Sequence, residues 1–205
     1  CTAAIVAASF VINPSLIKKL PFDTVKDFTP LGLVVDIPTS VTVHPSLPVK
    51  NVKDLIALAK TKPGELFYSS SGPGTVGHLA GELLNSTAGV KLVHVPYKGI
   101  APGVVDLIAG QVQLSFPSIP VVIENVRSGK LKMIAQWGNT RSSSVPDVPT
   151  REQVCRIGCT LQGVTVQTGQ YGALPWFGAA LAWLNAADRQ AVYAELRRIA
   201  ETERE

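Results

Sequence analysis

The sequence lacks the signatures of several protein classes. No stretch reaches the roughly 18 uninterrupted apolar residues that are typical of a membrane-spanning helix. The three cysteines are an odd number without the spacing of metal ligands, so we expect no metal site and cysteines that are free or incidentally paired. The 19 lysines and arginines are scattered, whereas a nucleic-acid binder more often gathers them into a stripe among aromatic residues.

What is present is the composition of a globular protein. With 205 residues, the chain is long enough for one large domain or two small ones with a proper core. Hydrophobic residues make up 46% of it and charged residues 17%, which argues against disorder. The N-terminal "CTAAIVAASFVINP" has no initiator methionine and no positively charged leader. We interpret it as the interior of a longer protein, which indicates nothing about compartment.

Strand and helix signals alternate through the middle of the chain. The pattern predicts a strand over residues 66–69, a helix over 76–88 that ends at Gly89, and then three further strands and two helices up to Trp137. A β-α-β-α-β-α-β alternation with short connections is typical of parallel sheets with right-handed crossovers. We therefore predict an α/β fold with a doubly wound, mainly parallel sheet.

The segments on either side of this unit predict a second domain. They contain a helix around residues 14–19, a strand over 31–35 that runs into "TSVTVHP", and a C-terminal helix with Asn185 as its N-cap. We divide the chain into part of domain 1 over 1–40, domain 2 over 41–137, and a return to domain 1 with the C-terminal helix over 138–205.

Three loops of the parallel unit lie where ligands bind in such sheets, outside the carboxyl ends of the strands. They cover residues 69–75, 96–100 and 117–119, and each leads into a helix. The first N–H groups of a helix lack intrahelical partners and carry partial positive charge. We therefore expect the three loops to converge on a small anion.

The anion itself is left open by the loop sequence. A phosphate-binding loop of the Walker type needs a lysine that "GPGTVGH" does not have. Gly72, Gly74 and Gly77 fit the dinucleotide spacing G-x-G-x-x-G, but Pro73 stiffens the turn and no acidic residue ends the following strand. Backbone N–H groups and hydroxyls suit a small carboxylate equally well.

A nucleophilic serine is the enzymatic alternative. Ser70 or another serine of "YSSSG" would need a base, and His78 on the following helix is the nearest candidate in sequence. The G-x-S-x-G elbow of serine hydrolases does not occur here. We therefore expect His78 to support the loop by hydrogen bonding. At the next strand end, Tyr97, Lys98 and Gly99 offer a hydroxyl, an ammonium and a flexible backbone to the same cleft.

Several segments, taken in order, resemble one known family. They are "INPSLIKKLPFDTVKDFTPLGLV", "HPSLPVKNVKDLIALAKTKPGELFYSSSGPGTVGHLAGELL", "VHVPYKGIAPGVVDLIAGQVQLSF", "SGKLKMIA" and "RSSSVPDVPT". These motifs are similar to those of the Bug-type, or TctC-like, solute receptors. Such receptors are the extracytoplasmic binding proteins of tripartite tricarboxylate transporters.

The resemblance implies a type II periplasmic-binding-protein fold of the Venus flytrap kind, with an incomplete domain 1, no enzymatic activity and no cofactor. It implies a periplasmic receptor that hands a small carboxylate-bearing solute to the membrane components of its transporter. In that family, backbone and hydroxyl groups of strand–helix loops hold a ligand carboxylate. The matching residues are Ser70, Ser71, Gly72, Gly74, Thr75, His78, Tyr97, Lys98 and Gly99, with Ala8 and Ser9 as looser counterparts.

Two departures from the family pattern add to the prediction. Phe116-Pro117-Ser118 stands where the family commonly has Phe-Asp-Asn. Ser118 is thus the candidate at this loop, and a plain carboxylate is favoured over an amino acid because no acidic side chain would meet the amino group.

The first ligand loop of domain 1 is absent and the similarity fades after Thr150. A truncated, non-binding remnant is therefore the alternative, ahead of a serine-dependent hydrolase.

Overall fold

A computed structural model describes most of the first 150 residues of the chain. The described ranges are 2–7, 9–17, 19–24, 26–32, 34–35, 37–137 and 141–150. The chain divides into two compact units, one that includes the described residues up to 35 and one that begins at Ile37. The domain boundaries deduced from the sequence stay a prediction, and the helix expected from Asn185 lies outside the described residues.

The first unit contains helix α1, Ser9–Leu16, which begins earlier than the helix expected around 14–19. A trio of aromatic rings accompanies it, because Phe10 contacts both Phe22 and Phe28 at centroid distances of 5.6 and 4.9 Å. Of the strand expected over 31–35 and on into "TSVTVHP", only the second part is found, because the described residues of 31–35 lie in no strand and the strand begins at Thr39. Leu31 is 89% exposed. An apolar run forms a strand only where a neighbouring strand can hydrogen-bond with it.

The second unit alternates strands and helices along the chain. Its elements are β1 Thr39–Val43, α2 Val52–Thr61, β2 Phe67–Ser70, α3 Val76–Ala88, β3 Val93–Pro96, α4 Ile100–Ile108, β4 Leu114–Ser115, α5 Ile119–Arg127 and β5 Lys132–Trp137. The helix expected over 76–88 has the observed bounds of α3. It ends there because Gly89 adopts the left-handed conformation, with φ +61°, that terminates helices.

The five strands form one sheet in the order β3-β2-β4-β1-β5. Strand β2 is parallel to β3 and β4, whereas β1 is antiparallel to both β4 and β5. Four strands therefore run in one direction, and the prediction of a mainly parallel α/β sheet is confirmed. The insertion of β1 between β4 and β5 is a feature that the local pattern did not indicate.

Hydrophobic cores cover both faces of the sheet. One core packs α2 and α3 through Leu55, Ala80 and Tyr68, and the other packs α4 and α5 through Leu107 and Val122. Gly81 lets α3 approach the sheet closely, because a Cβ at that position would stand 2.3 Å from the Tyr68 ring. The double covering buries both sides of the strands, where polar side chains such as Ser40, Thr42 and Ser115 lie beside the apolar ones. Within the described residues, no helix is both long and apolar enough to span a membrane.

Candidate functional site

The three loops proposed as ligand loops lie at one edge of the sheet. Strands β2, β3 and β4 are adjacent and parallel, so their carboxyl ends meet at the same edge. From this edge the chain enters α3, α4 and α5. Helix α2 begins at the opposite edge, because it follows the antiparallel strand β1. The three loops therefore lie at one edge of the sheet, as expected, and their convergence on an anion stays a prediction.

The loop between β2 and α3, which we call the Ser/Gly loop (residues 71–75), is held by internal hydrogen bonds. Gly72 has φ +124° and Gly74 has φ +73°, conformations that side chains disfavour. The Gly72 N–H donates to Ser70 Oγ at 3.1 Å, and Thr75 Oγ1 donates to the Gly72 carbonyl at 2.7 Å. The loop is thus a preformed turn whose shape depends on its glycines.

His78 supports this loop from beneath. Its side chain is buried, and Nδ1 accepts a hydrogen bond from the Gly74 N–H at 3.0 Å. Nδ1 is thus the acceptor of this hydrogen bond, and the ring fixes the backbone at Gly74. The His78 ring also stacks on His94, with centroids 4.4 Å apart. The role of His78 as a loop support was expected from the sequence; the stack on β3 was not.

The Ser70 hydroxyl faces the protein interior. Ser70 is 1% exposed, and its Oγ lies 2.6 Å from His94 Nε2. His94 in turn stacks on Tyr68, whose hydroxyl donates to Glu82 Oε1 at 2.7 Å. A serine beside a histidine is the pairing that a hydrolase needs, but the partner is His94 and not the expected His78. Ser70 is buried, and the hydroxyl that meets His94 also accepts from the Gly72 N–H of the Ser/Gly loop.

At the next strand end, residues 97–99, which we call the Tyr97 turn, connect β3 to α4. The Tyr97 N–H donates to the Ser70 carbonyl at 3.0 Å, and the Gly99 N–H donates to the Tyr97 carbonyl at 3.0 Å. Gly99 is the N-cap of α4 with φ +99° and ψ 168°, a combination that is accessible essentially to glycine alone. Lys98 stands exposed at the apex of the turn. The turn therefore places Lys98 two residues before the start of α4.

The Tyr97 side chain points into the protein, toward α4. Its hydroxyl donates to Asp106 Oδ2 at 2.6 Å. Burial raises the pKa of Tyr97 from 10.0 to about 12, and the hydrogen bond and the negative charge of Asp106 add to this rise. Tyr97 is therefore a neutral hydrogen-bond donor at physiological pH, committed to Asp106.

The starts of α3 and α4 differ from the start of α2. In α2, Asn51 caps the helix by accepting from the Asp54 N–H at 2.9 Å, and Asp54 adds a negative charge to the first turn. Neither α3 nor α4 has a side-chain cap or an acidic residue in its first turn. Both ends consequently keep the partial positive charge of uncapped N–H groups.

The start of α5 is already occupied, although it reaches the same edge. The Ile119 N–H donates to the Pro38 carbonyl at 2.9 Å, Pro120 has no N–H, and the Val121 N–H donates to the Ser118 carbonyl at 3.1 Å. Ser118 lies at the edge as expected, but its helix has no unused amide in its first three positions. The helix starts without a cap at this edge are therefore those of α3 and α4.

The remaining candidates belong to the other unit. Ser9 is the first residue of α1, and Ala8 lies outside the described residues. Among the residues that the structure describes, no group of three or more histidine, cysteine or acidic side chains is arranged to hold a metal ion. The described site thus consists of backbone amides, hydroxyls and one lysine.

Comparison with known structures defines the class of the protein. The fold is that of periplasmic binding proteins: BugD, described as a periplasmic binding protein, superimposes with a TM-score of 0.68 at 33% identity over 75% of this chain and 50% of its own. R. palustris Rpa4515, solved with adipate, matches with a TM-score of 0.68 at 32% identity over 76% of this chain and 51% of its own.

The family follows from the sequence match. Residues 1–167 match the model of the tripartite tricarboxylate transporter family receptor, TctC, and the chain belongs to this family. Protein BugT of Bordetella pertussis is 33% identical over 148 residues, which are 72% of this chain and 45% of BugT. The chain spans about half the length of the curated relatives it matches. The resemblance to Bug-type receptors and the periplasmic-binding-protein fold are thereby confirmed.

Proposed function

We propose that the protein is a solute receptor that captures a small carboxylate in the periplasm and delivers it to the membrane components of a tripartite tricarboxylate transporter. The observation that carries this proposal is the pair of uncapped helix starts, α3 and α4, at one edge of the sheet. Membership in the receptor family and the adipate bound by Rpa4515 support the carboxylate as the class of solute.

The chemistry of the edge favours an anion. Each helix start stabilises a negative charge by about 0.3–1 kcal/mol when exposed, and by more when partly buried. The exposed Lys98 adds a full positive charge on the connecting turn. The glycines of the Ser/Gly loop let a carboxylate approach the backbone, and the half-buried Ser71 offers a hydroxyl. Capture therefore needs neither a metal nor a reaction step.

The same edge disfavours an amino group on the solute. The acidic side chains of the two anion-facing helices are already engaged, because Glu82 accepts from Tyr68 and Asp106 accepts from Tyr97. An ammonium group would meet Lys98 and two positive helix ends. We therefore propose plain carboxylates as substrates, rather than amino acids.

Calorimetry with three molecules of equal chain length tests this proposal. Adipate carries two carboxylates, hexanoate carries one, and 1,6-diaminohexane carries two positive charges instead. We expect saturable binding of adipate, weaker binding of hexanoate, and none of the diamine. Adipate at 100 times its dissociation constant should also stabilise the fold by about 2.7 kcal/mol. A folded protein that binds no member of a broad di- and tricarboxylate panel would be a non-binding remnant, and the proposal would fail.

A further inference from the structure

The backbone of Tyr97 joins the two anion-facing loops. Its N–H is hydrogen-bonded to the Ser70 carbonyl at the end of β2, and its carbonyl accepts from the Gly99 N–H, each at 3.0 Å. The same carbonyl lies 3.6 Å from the place where a Cβ on Gly72 would stand, so the Ser/Gly loop packs directly on it. A displacement of Tyr97 would therefore move the Tyr97 turn, including Lys98, relative to the Ser/Gly loop.

The side chain of Tyr97 fastens this turn to α4. Its hydroxyl reaches Asp106 Oδ2 at 2.6 Å, a short bond to a charged acceptor. Its ring lies against Gly103, where a Cβ would stand 3.2 Å from Cδ2 of Tyr97 and 3.1 Å from Ser69 Oγ. Because Gly103 has no side chain, α4 packs closely against both Tyr97 and the end of β2. Tyr97 is thus one of the contacts that fix the position of α4 on the sheet.

We propose that Tyr97 and Asp106 form a positioning pair that holds Lys98 and the first amides of α4 in the orientation needed to bind a carboxylate. This inference rests on the proposed function, and it assigns Tyr97 a different role from that of a direct ligand. The tyrosine hydroxyl is committed to Asp106, so its effect on the solute passes through the turn. Lys98 and the uncapped start of α4 are the groups that the pair orients.

Three variants separate positioning from general stabilisation. Tyr97→Phe and Asp106→Ala each remove the hydrogen bond, whereas Asp106→Asn keeps an oxygen that can accept it. Gln113→Ala is the matched control, because its side chain accepts from the Phe67 N–H at 2.9 Å at the opposite edge of the same strands. All four variants and the parent protein are titrated with adipate by calorimetry, at a temperature where each is folded.

We expect Tyr97→Phe and Asp106→Ala to weaken adipate binding about fivefold, which corresponds to about 1 kcal/mol, the net value of a typical hydrogen bond. Asp106→Asn should restore most of the affinity, and Gln113→Ala should lower stability without changing the affinity. Amide hydrogen exchange at residues 98–100, measured without ligand, should accelerate in the first two variants only. If Tyr97→Phe binds adipate as tightly as Gln113→Ala and the parent do, the inference is overturned, whatever the exchange rates.

The two proposals can fail separately in this experiment. If the parent protein binds no carboxylate, the proposed function is wrong, and the exchange rates alone decide whether the pair positions the turn. If the parent binds adipate and Tyr97→Phe binds it equally well, the receptor function stands and the positioning role is refuted.

Discussion

Replacing Thr75 by aspartate should weaken anion binding strongly while leaving the stability of the fold nearly unchanged. Thr75 is the N-cap of α3, with φ −83° and ψ 161°, and makes no side-chain cap of its own. An aspartate there caps the helix and complements its dipole, gains worth about 1 kcal/mol together. The lost hydrogen bond from Thr75 Oγ1 to the Gly72 carbonyl costs about as much, roughly 1 kcal/mol.

The effect on binding follows from Coulomb's law. A carboxylate held by the first amides of α3 would lie about 5 Å from an aspartate carboxylate at the N-cap, by the reach of the two groups. Two negative charges at this separation repel by about 2–3 kcal/mol for an effective dielectric constant of about 20–40. The dissociation constant should therefore rise by about 30- to 150-fold.

Calorimetry with adipate, together with chemical denaturation, measures both effects on the same protein. Thr75→Asn is the matched variant, since it takes up an amide of α3 as a cap of equal size without charge; it should weaken adipate binding only about fivefold, the worth of about one hydrogen bond. Asn51→Asp places the same new charge at the start of α2, on the opposite edge of the sheet, and should not change affinity. If Thr75→Asp binds adipate like Thr75→Asn, the start of α3 is not where the anion sits.

Three further predictions concern backbone, core and titration. Gly99→Ala should lower the free energy of unfolding by about 1–3 kcal/mol and also weaken adipate binding. Gly129→Ala, at φ +73° outside the three ligand loops, should lower the stability alone. Denaturation measures the stability of both variants, and calorimetry measures their affinity for adipate. Gly81→Ala should destabilise the fold by about 1–3 kcal/mol in urea unfolding, because its methyl group would overlap the Tyr68 ring. Because the pKa of Tyr97 is about 12 in the fold and 10.0 when unperturbed, its contribution to stability should be complete below pH 10.0 and disappear as the pH rises toward 12. Tyr97→Phe should remove this part of the alkaline destabilisation, and an unchanged pH dependence of unfolding would contradict the assignment.

Local signals in the sequence were enough to locate most of the parallel unit. Helix α3 was predicted with its observed bounds because the Ser/Gly loop before it and Gly89 after it are strong local signals for the start and the end of a helix. The failed strand at 31–35 shows the limit of such signals. An apolar β-branched run predicts a strand only if another strand pairs with it, and pairing is decided by distant residues. For the same reason, the position of β1 between β4 and β5 was not foreseen.

The position of the three loops at one edge of the sheet was predicted, but the direction of their side chains was not. Alternation along β2 sends Ser70 and Tyr68 to the same interior face, where Ser70 meets His94, a residue 24 positions later in the chain. The commitment of Tyr97 to Asp106 is likewise a contact between elements. The first N–H of α5 is occupied by the Pro38 carbonyl, which belongs to the segment before β1. Such contacts follow from the packing of the sheet, and no local motif encodes them.

The central claim is that backbone amides at the starts of α3 and α4 hold the carboxylate. Its most direct test is a titration of ¹⁵N-labelled protein with adipate, followed through the amide chemical shifts. The account predicts that the largest changes fall within residues 71–78 and 98–101, while the amides at the start of α2 stay in place. Changes centred on α2, or spread evenly over the sheet while adipate binds, would contradict it.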